Sequence, residues 1–329
     1  MKQQTPAISS PAWQWEIDWA DGANEQELDV LFTRSFGHTM PSEQWHWKYA
    51  GAQPWGALVR TGCTPVAFYG GMPRPARLFG QKSTAVQIGD VMVDPAYRRI
   101  LTRRGPFFQV TAAFAERFVG PGKPYCCAFG FPSERHNRLG EHLGLYGRIG
   151  TLQEASWEPL PYRRSPTVTV RSFEDSQGEL LSPLWEQMAG DLVDMVVLER
   201  DYHYIRHRFL RRPAAPYTLL LVRRRFLGAP VGLIVLRDHG VNGVELLDLL
   251  GAVQRLPLLV TIARRITGKL GRPRLFSWLT TPVAEALKDT APRLEDLNIP
   301  LPTIIWGGSS DILNTHGRWW LMGGDADSR

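Results

Sequence analysis

The sequence predicts an α/β (α+β) protein built as two tandem halves, each a mixed, mostly antiparallel twisted sheet flanked by helices. Three observations predict it. A proline-dense break lies at Glu158 to Pro166, related runs of residues stand on either side of it, and strand and helix periods alternate within each half. In the break, Pro159, Pro161 and Pro166 alternate with Tyr162, Arg163 and Arg164. Prolines at that density block helix and remove strand donors, so the stretch reads as a linker. The expected division is 1–157, a linker at 158–166, and 167–329.

The halves echo one another. A helix-like stretch over Leu28 to Ser35 leads to Trp45-His46-Trp47-Lys48-Tyr49, and Leu184 to Leu198 leads to Tyr204-Ile205-Arg206-His207-Arg208-Phe209. Pro65-Val66-Ala67-Phe68 matches Pro230-Val231-Gly232-Leu233, and Gly89-Asp90-Val91 is answered by Leu247-Asp248-Leu249. Duplication with a period of about 160 residues explains this spacing; two unrelated α/β halves would share it only by chance.

In chain order, Leu58 to Arg60 and Val66 to Gly70 read as strands joined by the turn Thr61-Gly62-Cys63-Thr64, and Val86 to Val93 as a third strand. Phe107 to Phe118 places apolar residues on most sides of a helix. Tyr125 to Phe129 is a short buried strand, Arg135 to Leu143 a helix, and Tyr146 returns to strand. The second half repeats the order with strands at Tyr217 to Arg223, Val231 to Leu236 and Val244 to Leu250. A helix over Leu256 to Leu270 and a strand over Arg274 to Leu279 follow. Trp319-Trp320-Leu321 reads as a final strand, and Gly323 to Asp327 as a solvated acidic terminus.

Composition narrows the class. At 329 residues, 43% hydrophobic and 21% charged, the chain can bury a core and does not resemble a disordered one. No apolar run approaches the roughly 20 residues of a membrane helix. Met1 to Pro11 is polar, without a basic start or an apolar core, so a soluble cytoplasmic protein is expected. Cys63, Cys126 and Cys127 are too few for a disulfide framework or a metal site of their own. The net charge of +6 invites a nucleic-acid reading. Its arginines are scattered in short pairs, however, with no accompanying motif, so a small phosphate-bearing ligand suits them better.

The run Val91-Met92-Val93-Asp94-Pro95-Ala96-Tyr97-Arg98-Arg99, followed by a basic loop and a helix, resembles the acetyl-CoA signature of the GNAT-type (GCN5-related) N-acetyltransferases. Gly130-Phe131-Pro132-Ser133, with Gly144-Leu145-Tyr146 closing the next helix, is similar to the family's second cofactor-side segment. These motifs span about Leu28 to Ile149; the second half resembles the fold only through the duplication. The resemblance implies a tandem-GNAT arrangement with acetyl-CoA, or another acyl-CoA, as co-substrate. It places pantetheine between Val86 to Val93 and Tyr125 to Phe129, and implies cofactor contacts at Val91, Met92, Val93, Arg98, Arg99, Arg103, Arg104, Gly105 and Ser133. Independently of any family, a strand feeding a helix through a basic loop presents free N–H groups and a positive dipole end to an anion.

Two departures stand out. The family's glycines would fall at Leu101 and Arg103, and only Gly105 remains, before Pro106. Either a longer turn from Arg98 to Gly105 makes another cradle, or this half binds CoA poorly; Pro106 at a first helical position fits the longer turn. The family's acid tyrosine would fall at Gly140, with Tyr146 nearby, while His136 and His142 read as surface residues of that helix. Asp90, on the splayed strand, is the candidate base, or else a turn or supporting hydrogen-bond residue. The expected reaction is direct acyl transfer, acetyl by preference, to a small-molecule amine, by a monomer or homodimer. The alternatives are a decayed GNAT-like binding protein and a related transferase that uses aminoacyl-tRNA. Trp45, Trp47, Tyr49 and Trp55 read as a buried corner in preference to an acceptor pocket. Cys126-Cys127 lacks a paired histidine by spacing, which argues against a nucleophile.

Overall fold

The computed structural model describes residues 15–213, 216–308 and 310–327. The Met1 to Pro11 segment of the sequence reading lies outside them. The first half runs β1 (Glu16–Ala20), α1 (Glu25–Phe36), α2 (Ser42–Lys48), β2 (Gly56–Thr61), β3 (Thr64–Leu78), β4 (Gln81–Val93), α3 (Pro106–Phe118), β5 (Cys127–Gly130), α4 (Glu134–His142) and β6 (Tyr146–Trp157). The second opens with β7 (Val168–Ser172), α5 (Leu181–Asp191), β8 (Val196–Leu198) and α6 (Tyr202–Ile205), which continues as a π turn over Arg206–Leu210. It proceeds through β9 (Thr218–Arg224), β10 (Pro230–Asp238), β11 (Val244–Leu250), α7 (Leu256–Lys269), β12 (Leu275–Thr280), α8 (Thr281–Ala286), β13 (Arg293–Ile304) and β14 (Trp319–Trp320).

Local chemistry sets the boundaries. Gly37 ends α1 in the left-handed conformation at φ 82°, and Pro106 opens α3 where its missing N–H costs nothing. Ser133 caps α4, its hydroxyl accepting from His136 N. The long β3–β4 hairpin turns at Phe79-Gly80, both with positive φ. α3 buries Phe107, Phe108, Val110, Phe114 and Phe118, each phenyl stabilising the fold by about 1.5–3 kcal/mol.

Two seven-stranded mixed sheets result, and both are mostly antiparallel. The first has the order β1-β2-β3-β4-β5, with β8 added on β3 and β14 on β8; the second has the order β13-β6-β12-β11-β10-β9-β7. The same succession of hairpin, strand, helix, parallel strand and helix appears in each. The sheets also exchange strands: β6, from the first half, pairs with β12 and β13, while β8 and β14, from the second, extend the first sheet. A shared core of Cys127, Phe129, Ile149, Val196, Leu198, Trp319 and Leu321 seals the junction. No helix among the described residues is long and apolar enough to cross a membrane.

Three readings are corrected. Leu184 to Leu198 is not one helix: α5 ends at Asp191, and Val196–Leu198 is a strand drawn onto β3, where its three apolar side chains are buried. The Gly323 to Asp327 tail is not solvated, since Gly323, Gly324 and Asp325 are buried. His136 is no surface residue; it packs edge-on against Phe107. The aromatic corner is core: Trp45 stacks with Tyr49 and Trp55 and packs beside Phe32 and Phe68. Trp47 extends it across the molecule, donating to the His207 carbonyl at 2.8 Å.

Candidate active site

β4 and β5 are parallel and paired from Ala85 and Cys127 to Ile88 and Gly130; beyond that β5 ends and β4 continues to Val93. A bulge in the β3–β4 ladder at the same level sets Asp90 at φ 50°, in the left-handed region. Such a bulge leaves backbone groups outside the ladder. At this divergence opens a cavity of about 470 Å³, its walls including Ile88 to Val91, Phe129 to Ser133, His136, Tyr146 and Ile304.

Three charges from distant parts of the chain meet at the cavity. Lys48 Nζ lies 2.7 Å from Asp90 Oδ1 and 2.7 Å from Asp327 Oδ2, and the Tyr49 hydroxyl donates to Asp90 Oδ2 at 2.9 Å. Burial pushes the Asp90 carboxyl above its ordinary range, and Lys48 offsets this only in part. Burial opposes the charge on Asp327 too, but there the Lys48 ammonium prevails and holds the carboxyl below its ordinary range. Between its two carboxylates the Lys48 ammonium stays protonated, against the pull of desolvation. Of the two carboxylates, Asp90 is the one closer to taking up a proton.

Tyr146 also lines the cavity. Its hydroxyl is 2.9 Å from that of Tyr69 and 3.3 Å from His136 Nε2, and burial raises its pKa. Burial lowers the His136 pKa to about 4, so the ring is neutral. The Tyr146 ring packs on α4 where a Cβ at Gly140 would come within 2.0 Å of it. The Tyr146 ring, from β6, thus occupies the space beside Gly140.

The remaining sequence candidates are dispersed over the loop after β4. Val91 lines the cavity; Met92 turns its side chain into the core, and the Val93 carbonyl accepts from Arg98 Nε. Arg98 braces the loop, its guanidinium donating to the carbonyls of Val93 and Ser35, both at 2.8 Å. Arg99 is exposed, and Arg103 lies over the rings of Phe108 and Trp306. The Arg104 carbonyl accepts from Trp15 Nε1. Gly105 is required by packing, since a Cβ there would lie 2.0 Å from the Ile100 carbonyl oxygen. Ser133 lines the cavity at the start of α4. The Cys126 and Cys127 sulfurs stand 3.5 Å apart, away from the cavity lining. Sequence reasoning missed Lys48, Asp327 and His136; of these only Lys48 gave a signal, as a lone lysine in a tryptophan-rich helix.

The corresponding gap in the second half is full. β11 and β12 pair only at Val244 to Glu245 and Leu275 to Phe276, then part. The C-terminal segment runs between them: Met322 bridges to Leu279, and Thr280 N donates to the Leu321 carbonyl. Buried Arg200 donates to Asp248 Oδ1 at 2.9 Å and to Asp325 Oδ2 at 2.7 Å, and the Tyr204 hydroxyl reaches Asp248 Oδ2 at 3.2 Å. Arg208 holds the carbonyls of Gly324 and Ala326, and Arg212 that of Asp327. The segment that plugs the second gap therefore carries Asp327 to the first.

No protein-family model matches the sequence, and no curated protein matches it. Solved structures do match the fold. A conserved Enterococcus faecalis protein named a probable N-acyltransferase aligns with a TM-score of 0.66 and 12% identity over 90% of this chain and 73% of its own. A GCN5-related N-acetyltransferase from Anabaena variabilis gives 0.64 and 13% over 88% and 72%. Saccharomyces cerevisiae N-myristoyltransferase with bound myristoyl-CoA gives 0.56 and 11% over 92% and 80%. At these identities the likeness establishes the fold, and the fold is that of the GCN5-related N-acetyltransferases.

Proposed function

We propose that the chain is an acyl-CoA-dependent N-acyltransferase, passing an acyl group, acetyl by preference, directly to a small-molecule amine. The observation that carries this reading is the open divergence of β4 and β5 with the Lys48, Asp90 and Asp327 trio at its edge. Its carboxylate of raised pKa, Asp90, can take the proton that the amine must lose. The acyl donor's phosphates fit the loop after β4, where Arg99, Arg103 and Arg104 are exposed beside the first turn of α3. Arg98 supports that loop from behind, Gly105 closes it, and the Ser133 end of α4 faces the donor's thioester arm. The backbone of Val91 and Met92 supplies strand partners to that arm, and the Val93 carbonyl holds Arg98.

In the reaction the amine nitrogen bonds to the thioester carbon, the carbonyl oxygen gains charge and returns it as the carbon–sulfur bond breaks, and the sulfur leaves as a thiolate that takes up a proton from water. Backbone N–H groups freed by the bulge at Asp90 stabilise the oxyanion. Asp90 receives the amine proton, and the Tyr146 hydroxyl, kept protonated by burial, hydrogen-bonds the departing sulfur. Holding amine and thioester together contributes the largest share, and the base a further 10²–10⁴-fold, roughly. The division at 158–166, the origin of the halves by duplication, a cytoplasmic location and a monomeric or homodimeric state belong to the same proposal.

Calorimetric titration with acetyl-CoA, a longer acyl-CoA and CoA tests it. Micromolar binding weakened by at least roughly tenfold in Arg99→Ala/Arg103→Ala supports the reading, the loss being one to two charged contacts. Thiol release dependent on an added amine then reports the transfer. Absence of heat with all three ligands overturns it.

A further inference from the structure

The turn joining β9 and β10 carries the most exposed pair of adjacent apolar residues among those described. Phe226 is 89% exposed and Leu227 75%, side by side at the tip of a hairpin. Val241, also exposed, stands alone in the next turn. Single exposed apolar residues need no explanation, whereas a contiguous pair on a projecting turn does.

The surroundings are basic. Beside the tip lies a hollow of about 510 Å³ whose walls include Arg224, Arg225 and Arg255, with Val168, Val231 and Leu258 among the apolar ones, and no carboxylate. Arg225 ties the hairpin to the interdomain linker, its backbone N–H donating to the Thr167 carbonyl and its guanidinium to that of Ser165. This brings Arg163 and Arg164, both exposed, to the same side as the hairpin base. Some arginines elsewhere pair with carboxylates, as at Arg60, Arg77, Arg200, Arg272 and Arg274; Arg163, Arg164, Arg224, Arg225 and Arg255 have no such partner among the described residues.

We propose that this hairpin docks the protein on an anionic lipid surface, Phe226 and Leu227 entering the headgroup–acyl boundary while the collar of arginines meets lipid phosphates. The pairing of an apolar tip with a cationic rim is what the interface of such a bilayer accommodates. A nucleic acid would use the same charges, but the leucine offers it no stacking face and the apolar walls of the hollow offer it nothing. The inference stands on this surface alone and does not depend on the catalytic reading.

The test is co-sedimentation of the full chain with vesicles of pure phosphatidylcholine and with equimolar phosphatidylcholine and phosphatidylglycerol. Binding to the anionic vesicles only, weakening with salt, is expected. Arg224→Gln and Arg225→Gln should each weaken it roughly fivefold. Phe226→Ser/Leu227→Ser should weaken it more than either. All four side chains are exposed or half-exposed at a turn, so unchanged circular dichroism confirms that the variants fold. Failure to sediment with anionic vesicles at low salt overturns the proposal. So does sedimentation unaffected by the Phe226/Leu227 variant, or binding to a DNA oligonucleotide in place of vesicles.

Discussion

At the end of the β4–β5 ladder the strands part around a cavity; at the end of the β11–β12 ladder they part around the chain's own C-terminal segment. Each gap has the same charged arrangement beside it. A cation lies between an aspartate on the strand before the gap and an aspartate from the tail, and a tyrosine hydroxyl donates to the strand aspartate. In the first half these are Lys48, Asp90, Asp327 and Tyr49; in the second, Arg200, Asp248, Asp325 and Tyr204. What differs is access. Asp248 and Asp325 are sealed with Arg200, while Asp90 and Asp327 face a cavity. A tethered segment fills a gap without the roughly 4–15 kcal/mol of lost translational and rotational freedom that a free ligand incurs, so a free ligand competes poorly for the second gap. The same charged arrangement thus borders an open cavity in one half and a filled gap in the other.

The sharpest way to break this comparison is to make the same substitution in both halves. Asp90→Asn should lower kcat by roughly 10²–10⁴-fold with little change in Tm, as the base is lost. Asp248→Asn should lower Tm and leave kcat of the folded fraction near wild type. Steady-state kinetics and thermal unfolding on both variants decide the matter, and the roles fail to separate if both lose kcat alike.

Next in size is the anchor itself. Arg200→Met strands Asp248 and Asp325 in the interior and should cost about 3–5 kcal/mol in urea unfolding. Adding Asp248→Asn and Asp325→Asn to it should recover part of that loss, because uncompensated charge is the main penalty. Stoichiometry is a further check: titration should saturate at one acyl-CoA per chain, and a second equivalent would show that the tail yields its gap.

Two pH effects refine the picture. On the proposed reading Asp90 must be ionised to act, and its raised pKa places the acid limb of kcat/KM above the ordinary carboxylate value of about 4. Lys48→Met removes the largest offset and should move that limb further up. The smallest expected effect concerns His136. Its folded-state pKa of about 4 lies below the unfolded value of about 6.5, so the unfolded chain binds the extra proton. Stability should therefore fall as pH drops from 6.5 towards 4, and His136→Phe should remove up to one proton from that slope in urea unfolding at several pH values.

Much of the architecture was legible because its signals are local. Proline density marked the break, apolar periods marked β2 to β6 and β9 to β12, and the hairpin–strand–helix succession appeared twice. Misreadings fell where distant contacts outweighed the local pattern. Val196–Leu198 extends a helix-like apolar run in sequence, yet an open edge of β3 takes it as a strand. The tail looks polar enough for solvent, but three arginines from 200 to 212 satisfy its carboxylates and carbonyls in the interior.

By itself the sequence determined two α/β halves, their repeated order, the strand bearing Asp90 and the basic turn after it, because hydrophobic period and backbone restriction act over a few residues. The tertiary structure alone decided that Lys48 and Asp327 join Asp90, that Tyr146 covers Gly140, and that the second gap is filled from within. Those outcomes depend on bringing together groups far apart in the chain, and on which buried charge finds its partner there. No local spacing encodes either.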